Sequence, residues 1–275
     1  MSAVPLTGRT AVITGAGSGI GQALARLLAG RGCPVAMFDI DEAGLAETEH
    51  SISTPVLARR LDVSDREAQL AMAGEVRAWS PAPLGAVFNN AGVTLSQTIE
   101  GVSDEDFRWI VDVNFWGVVH GTKAYLPWLL EQNEGAVVNT SSVFGLLSWP
   151  TQGTYNATKF AVRGFTEALR HELRGTGVHA VAVHPGGVAT SIVSNARFHV
   201  DDLGGMSHEQ MQLDFARVAR LSPKRAAQII VRGVERGKGR VLVGSDAFAA
   251  DLLQRLAPAR YFEVLERMGP LLRRR

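Results

Sequence analysis

Tyr155 and Lys159 are the residues of this chain whose types and spacing most directly suggest chemistry. Four apart, they are neighbours on one face of a helix. A free phenol titrates near ~10 and a free lysine near ~10.4. An ammonium beside a phenol favours the phenolate, so the tyrosine pKa is expected to fall toward a value useful for exchanging a proton with an alcohol or carbonyl oxygen. Ser142, thirteen residues upstream of Tyr155, can donate a hydrogen bond to that same oxygen. Tyr-x-x-x-Lys pairs are common on exposed helical faces. This one gains meaning from a dinucleotide site elsewhere in the chain.

That site opens with Thr10 to Thr14 (TAVIT), a short β-branched run suited to a buried parallel strand. Gly15-Ala16-Gly17-Ser18-Gly19-Ile20-Gly21 follows, and Gln22 to Ala29 then sets Leu24, Leu27 and Leu28 at helical spacing. Strand, glycine turn and helix in that order let backbone amides approach a pyrophosphate at a helix N-terminus. Pro34 to Phe38 is the next apolar run and ends in Asp39, 18 residues past Gly21 and close to the ~20 expected for an acid that binds the adenosine ribose. Asp41-Glu42 reads instead as the acidic first turn of the following helix.

The elements that must position these residues alternate along the chain. Val56 to Leu61 is a third strand running into Asp62-Val63, and Ser64 to Glu67 is a capping box. Ala86 to Phe88 leads into Asn89-Asn90-Ala91-Gly92. Ser103 to Asp106 caps a helix with Phe107, Ile110, Val111, Phe115, Val118 and Val119 on its apolar side and Asn114 inside that pattern. A buried Asn needs backbone or water partners. Ala136 to Asn139 leads into Thr140-Ser141-Ser142, and His179 to Val183 into His184-Pro185-Gly186-Gly187, with Thr190 soon after. The expected fold class is therefore α/β: one Rossmann domain over 1–275, its doubly wound parallel sheet flanked by helices on both faces. Gly15, Asp39, Asp62, Asn90, Ser142 and Pro185 all follow the carboxyl end of a strand, where such sheets bind ligands.

Residues 188–221 break the rhythm and are expected to form a substrate lid with a short helix near 209–218. Ser222-Pro223 starts another helix, Arg240 to Val243 is the last strand, and 246–275 is a helical extension split near Pro258. The net charge of +1 gives no electrostatic case for nucleic acid or an anionic membrane, and the closing Arg273-Arg274-Arg275 reads as a solvated tail. The single cysteine, Cys33, excludes an intramolecular disulfide and a thiolate metal cage, so no metal is expected. Gly135 to Thr158 lacks charge but is too polar for a membrane span. With no secretory signal at the N-terminus, the expected location is cytoplasmic.

Together these motifs resemble the short-chain dehydrogenase/reductase family in its shorter, non-extended branch, over roughly residues 7–245: Thr14-Gly15-x-x-x-Gly19-x-Gly21, Asn89-Asn90-Ala91-Gly92, Asn114, Ser142, Tyr155-x-x-x-Lys159 and Pro185-Gly186. The resemblance implies that Tyr155 is the acid/base, Ser142 orients the substrate oxygen, Lys159 lowers the tyrosine pKa and bonds the nicotinamide ribose, and Asn114 holds a water in a proton relay. It selects Ser142 over Ser141 by spacing. It places Asp62 and Val63 at the adenine, and Pro185, Gly186, Val188 and Thr190 at the nicotinamide end. The cofactor set is then completed by Gly15, Ser18, Gly19, Ile20, Gly21, Asp39, Asn90, Ala91 and Gly92. Asn156-Ala157-Thr158 departs slightly from the commoner family residues. A homodimer or homotetramer is implied, with Trp109, Trp116 and Trp128 as interface or core.

The expected activity is hydride transfer between NAD, preferred over NADP, and a lipophilic secondary alcohol or ketone. Phe144, Leu146, Leu147 and Trp149 after Ser142, with Ile192, Val193 and Phe198 in the lid, are apolar residues flanking few polar ones, as in a small-molecule pocket. Two rivals share the fold: a catalytically silent NAD-binding regulatory protein, and a sugar-nucleotide epimerase or dehydratase.

Overall fold

Alternation along the strands divides the interior into two layers. In the computed structural model, which describes residues 4–193, 196–198, 209, 212, 213, 216, 217 and 219–272, seven parallel strands form one sheet. In chain order these are β1 (Thr10–Thr14), β2 (Val35–Asp39), β3 (Val56–Arg60), β4 (Leu84–Asn89), β6 (Gly135–Thr140), β7 (Val178–Pro185) and β9 (Arg240–Val243); the short β5 (Leu95–Ser96) pairs apart from them with β8 (Arg197–Phe198). Successive side chains on a strand point to opposite faces. Ala11, Ile13, Val35, Met37, Ala86, Phe88, Val138 and Val183 accordingly pack into one layer, against helices α1 (Gly19–Ala29) and α7 (Pro223–Glu235). Val12, Ala36, Phe38, Val87, Val137 and Ala180 face the other, against α3 (Arg66–Trp79), α5 (Gly117–Gln132) and α6 (Gly153–Glu172). Both faces being covered explains why the strands read as unbroken apolar runs.

The strand order is β3-β2-β1-β4-β6-β7-β9, so the winding reverses between β1 and β4. Loops leaving the carboxyl ends of these two strands diverge and open a crevice, and Gly15 and Asn90 stand at its mouth. Helix starts follow the capping residues with one correction. Asp65, not Ser64, caps α3 by accepting from the amide of Ala68, while the hydroxyl and amide of Ser64 are spent on Asp62 Oδ1 at 2.7 and 2.9 Å. Asp41 caps α2 (Glu42–His50) through the amides of Ala43 and Gly44. Ser103 caps α4 (Asp104–Val111) through Asp106, and Ser222 caps α7 through Arg225.

The helix expected to run on from Ser103 is interrupted. A π-helical turn, Asp112–Trp116, separates α4 from α5 and carries Asn114. Such single π turns cluster at functional sites because the extra residue re-aims a side chain. Half of the lid expected over 188–221, and half of its helix over 209–218, lies outside the described residues, as do Arg273–Arg275. At the ends of that excursion, Val188 bridges to Leu221. The C-terminal segment forms α8 (Ser245–Leu256) and α9 (Tyr261–Leu272). No helix among the described residues is long and apolar enough to cross a membrane, and among them no cluster of His, Cys, Asp or Glu could hold a metal ion. Cys33 is buried, and its thiol donates to the carbonyl of Leu6 at 3.0 Å.

Candidate active site

The glycine turn after β1 is shaped by close backbone approach. Gly15 has φ +69°, and a Cβ there would sit 2.8 Å from Ala91 Cα. Only glycine adopts that conformation without strain and leaves that room. A Cβ at Gly21 would collide with the carbonyl oxygen of Gly15, so α1 can start hard against the turn. Thr14 holds the opposite wall: its Oγ1 accepts from the amides of Asn90 (3.0 Å) and Ala91 (3.1 Å), and Asn90 Nδ2 donates to the carbonyl of Thr14 at 3.2 Å. Ile20 packs against the core, Ser18 is exposed, and the N-terminal amides of α1 face the crevice without a side-chain cap. These donors, at a helix N-terminus, suit a pyrophosphate.

Asp39 ends β2 beside this turn. Its Oδ2 accepts from the amide of Gly17 at 2.8 Å and its Oδ1 from the amide of Asp41 at 3.0 Å. The carboxylate is thus aimed at the turn, and each oxygen keeps a further lone pair for a ribose hydroxyl. Asp62 is exposed and Val63 buried just past the end of β3. A cleft of about 520 Å³ lies between Gly19, Thr190, Ser191 and Val193, with Pro223 behind it. Across it the hydroxyls of Ser191 and Ser18 meet at 3.4 Å. A cradle of glycines, free helix amides and a facing acid fits a dinucleotide.

Ser142, Tyr155, Lys159 and Asn114 are all buried, and the structure brings them together. Ser142 Oγ accepts from the amide of Phe144 at 3.1 Å, and its hydroxyl lies near that of Tyr155. Lys159 Nζ donates to the carbonyl of Thr140 at 3.1 Å and lies 5.5 Å from the centre of the Tyr155 ring. Asn114 pairs with the backbone of Val93, donating to its carbonyl at 2.9 Å and accepting from its amide at 2.8 Å. Its Nδ2 also donates to Thr158 Oγ1 at 3.2 Å. A Cβ on Gly92 would lie 3.1 Å from Asn114 Oδ1 and 3.2 Å from Lys159 Nζ, so these groups converge on one point. Ser141 turns away, its hydroxyl donating to the carbonyl of Lys159 at 2.7 Å.

One electrostatic expectation is corrected. Lys159 does not depress the tyrosine in the protein alone. Burial pushes Tyr155 up to about 12, with the Ser142 hydrogen bond opposing it, and burial brings Lys159 down to about 8. The ammonium is directed at the Thr140 carbonyl, not at the phenol oxygen. Desolvation, which favours the neutral form of each group, therefore dominates.

The loop after β7 is held from an element the sequence did not single out. Asp246, in the first turn of α8, accepts from the amide of Gly187 at 2.5 Å, and a Cβ on Gly186 would run into its carboxylate. An Asp in a helix's first turn ordinarily reads as dipole compensation, so its reach to this loop was hidden. Val188 is buried, while Thr190 and Ile192 are partly exposed beside the cleft. Of the expected substrate residues, Phe144 sits edge-on to Tyr155 at 6.2 Å and 86°. The side chain of Phe198 is not described. Leu146 and Leu147 are buried core. Trp149 packs on the C-terminal helix instead, its ring 5.5 Å from that of Phe262. It borders a groove of about 530 Å³ with Gly153, Ala157 and Phe160, a face of α6 other than the one carrying Tyr155 and Lys159. A polar cluster went unanticipated: Gln152 is bonded to both Ser96 and Thr94 (3.1 Å to the latter), all buried next to Tyr155.

A doubly wound parallel sheet with a glycine turn at a helix N-terminus, a facing carboxylate and a buried phenol–serine pair at its crevice is the architecture of Rossmann-type oxidoreductases. Residues 9–200 match the family described as short chain dehydrogenase. The chain is 44% identical over 261 residues to SadH of Mycobacterium tuberculosis, covering 92% of each. It is 34% identical over 200 residues to mouse mitochondrial D-beta-hydroxybutyrate dehydrogenase, covering 70% of this chain and 58% of that one. Among solved structures, a short chain dehydrogenase/reductase from Burkholderia phymatum in complex with NAD superposes with a TM-score of 0.83 at 32% identity, covering 92% of this chain and 94% of that one. Levodione reductase does so with a TM-score of 0.77 at 27% identity, covering 88% and 99%. The protein belongs to the short-chain dehydrogenase/reductase family and is an oxidoreductase of that type.

Proposed function

We propose that this protein interconverts a lipophilic secondary alcohol and its ketone with NAD, and that Tyr155 passes the proton. The observation that carries this is the joint burial of Ser142, Tyr155 and Lys159 at the carboxyl end of β6, with Lys159 one helical turn from Tyr155. Bound nicotinamide would supply hydride exchange at its C4. The residues of the chain do the rest. Gly15, Ser18, Gly19, Ile20 and Gly21 would cradle the pyrophosphate, with Asn90, Ala91 and Gly92 as the facing wall. Asp39 would accept from the adenosine ribose, Asp62 and Val63 would border the adenine, and Pro185, Gly186, Val188 and Thr190 would border the nicotinamide. Ser142 donates to the substrate oxygen and holds it against the phenol. Tyr155 keeps its proton at neutral pH, which suits the donor needed for ketone reduction. Lys159, still mostly charged at neutral pH with its value of about 8, would donate to a ribose hydroxyl and ease proton loss from Tyr155 in the reverse direction. Asn114 anchors the π turn behind Lys159. We further propose a homodimer or homotetramer, consistent with Trp116 and Phe160 being 45% and 38% exposed on the outer helices.

Tyr155→Phe tests the assignment. Loss of the only phenol at the reacting oxygen should lower kcat by about 10²–10⁴-fold, with NADH binding, followed by fluorescence, preserved. A variant keeping more than about a tenth of wild-type kcat on a confirmed substrate would exclude Tyr155 as the acid/base.

A further inference from the structure

We infer that His184 is a positioning residue for Ser142: its imidazole holds the Ser142 backbone carbonyl, and so aims the Ser142 hydroxyl at the proposed reacting oxygen. His184 has this role only if Ser142 and Tyr155 act as proposed above. The two strands involved, β6 and β7, run in register up to Thr140 and Val183. One more ladder bond follows, from the amide of Ser141 to the carbonyl of Val183 at 2.8 Å. There the chain after β6 leaves the sheet for a 3₁₀ turn, Val143–Gly145. The backbone of β7 can no longer reach Ser142. The His184 side chain does so instead, with Nδ1 3.0 Å from the Ser142 carbonyl oxygen.

A carbonyl only accepts, so Nδ1 carries the hydrogen and the neutral ring leaves Nε2 as an acceptor. Nε2 is buried and, among the described residues, has no hydrogen-bond partner. An apolar side chain could fill that space without an orphaned nitrogen, so the histidine's use here is its Nδ1–H. Protonation would bury a charge near Arg240 of β9 and Arg163 of α6, partly offset by Glu167; burial foremost holds the ring well below the ordinary imidazole range, at about 4. The same tautomer therefore persists across the working pH. Ser142 is otherwise held by the amide of Gly145 on its carbonyl (3.0 Å) and by its own Oγ accepting from Phe144, both within the turn that begins at Ser142 itself. His184 is the contact that ties this turn to the sheet. A displacement of about 1 Å at a reacting group can cost on the order of 10²-fold in rate.

The test compares His184→Leu, His184→Asn and Ser142→Ala in the full chain, with NADH and a confirmed ketone substrate. His184→Leu should lower kcat by about 10–100-fold while KM and the NADH Kd stay within about threefold. His184→Asn, whose Nδ2–H stands close to where Nδ1–H was, should return kcat to within about threefold of wild type. His184→Ala replaces the leucine variant should the latter not fold. A leucine variant with wild-type kcat, or leucine and asparagine variants equally impaired, overturns the role of His184. If Ser142→Ala is impaired in that same experiment, the proposed chemistry stands and only the positioning role falls. If Ser142→Ala keeps wild-type kcat, both fall together.

Discussion

Lys159 shows how burial decides a residue's contribution before any ligand arrives. Its ammonium is taken out of water for one hydrogen bond, to Thr140, and its pKa drops from the ordinary 10.5 to about 8. Between those values the unfolded chain binds more protons than the folded one, so stability rises with pH through this window. The cost of burying the cation is fully present below about pH 8 and fades as pH climbs toward 10.5. At pH 7 it amounts to roughly 3 kcal/mol, falling by about 2 kcal/mol at pH 9.5. Lys159→Met keeps most of the volume and removes the charge. Denaturant unfolding should therefore show the methionine variant gaining about 2 kcal/mol more, relative to wild type, at pH 7 than at pH 9.5. A stability difference that does not change with pH would show that the ammonium is not desolvated in the folded protein.

At the scale of elements, the pairing of β2 with β3 sets the surroundings of the proposed ribose site. Asp39 stands in register with Arg60, so both side chains lie on the same face of the sheet. Arg59 points to the other face and is tied to Glu75 at 2.7 Å. An NADP 2′-phosphate would bring about −1.5 to −2 charges against the Asp39 carboxylate. Each unit pair at about 4 Å repels by roughly 4 kcal/mol at an effective dielectric near 20. After relaxation and partial compensation by Arg60, a net penalty of about 2–4 kcal/mol, on the order of 30- to 1000-fold in favour of NAD, is expected. Asp39→Ala removes that repulsion while leaving Arg60 on the same face, so the kcat/KM ratio of NAD to NADP should collapse by at least about tenfold. Equal efficiencies in the wild type, or a ratio untouched by the substitution, would remove Asp39 as the discriminating residue.

Across the whole molecule, the substrate side is defined by what is already paired. Gln152 is bonded to both Ser96 and Thr94, and Leu95, Ile110 and Phe144 surround Tyr155. Among the described residues, few polar groups near Tyr155 are left to replace the water around a hydroxylated substrate, and stripping that water without replacement is unfavourable. A branched apolar ketone should exceed a small polyol's keto form in kcat/KM by at least about tenfold, the scale of one well-buried methylene. A preference for glycerol-like or sugar substrates in a panel followed by NADH fluorescence would refute the lipophilic assignment.

The alternating apolar runs, the glycine turn and the Tyr155–Lys159 spacing are local facts, and they suffice for the parallel sheet, its helices and the family. Periodicity follows from backbone geometry, and each motif's residues lie within a few positions of one another. What the chain's order conceals is set by packing between distant segments. The interruption at Asn114 arises because its side chain pairs with the backbone of Val93, 21 residues earlier. The hold of Asp246 on Gly187 spans 59 residues, and that of His184 on the Ser142 carbonyl spans 42. Trp149 and the leucines before it look alike in sequence, yet only the fold sends the leucines into the core and the indole onto α9. The charges of Tyr155 and Lys159 were predicted from their spacing on one helix, but desolvation depends on everything packed around them, and only the tertiary structure supplies that.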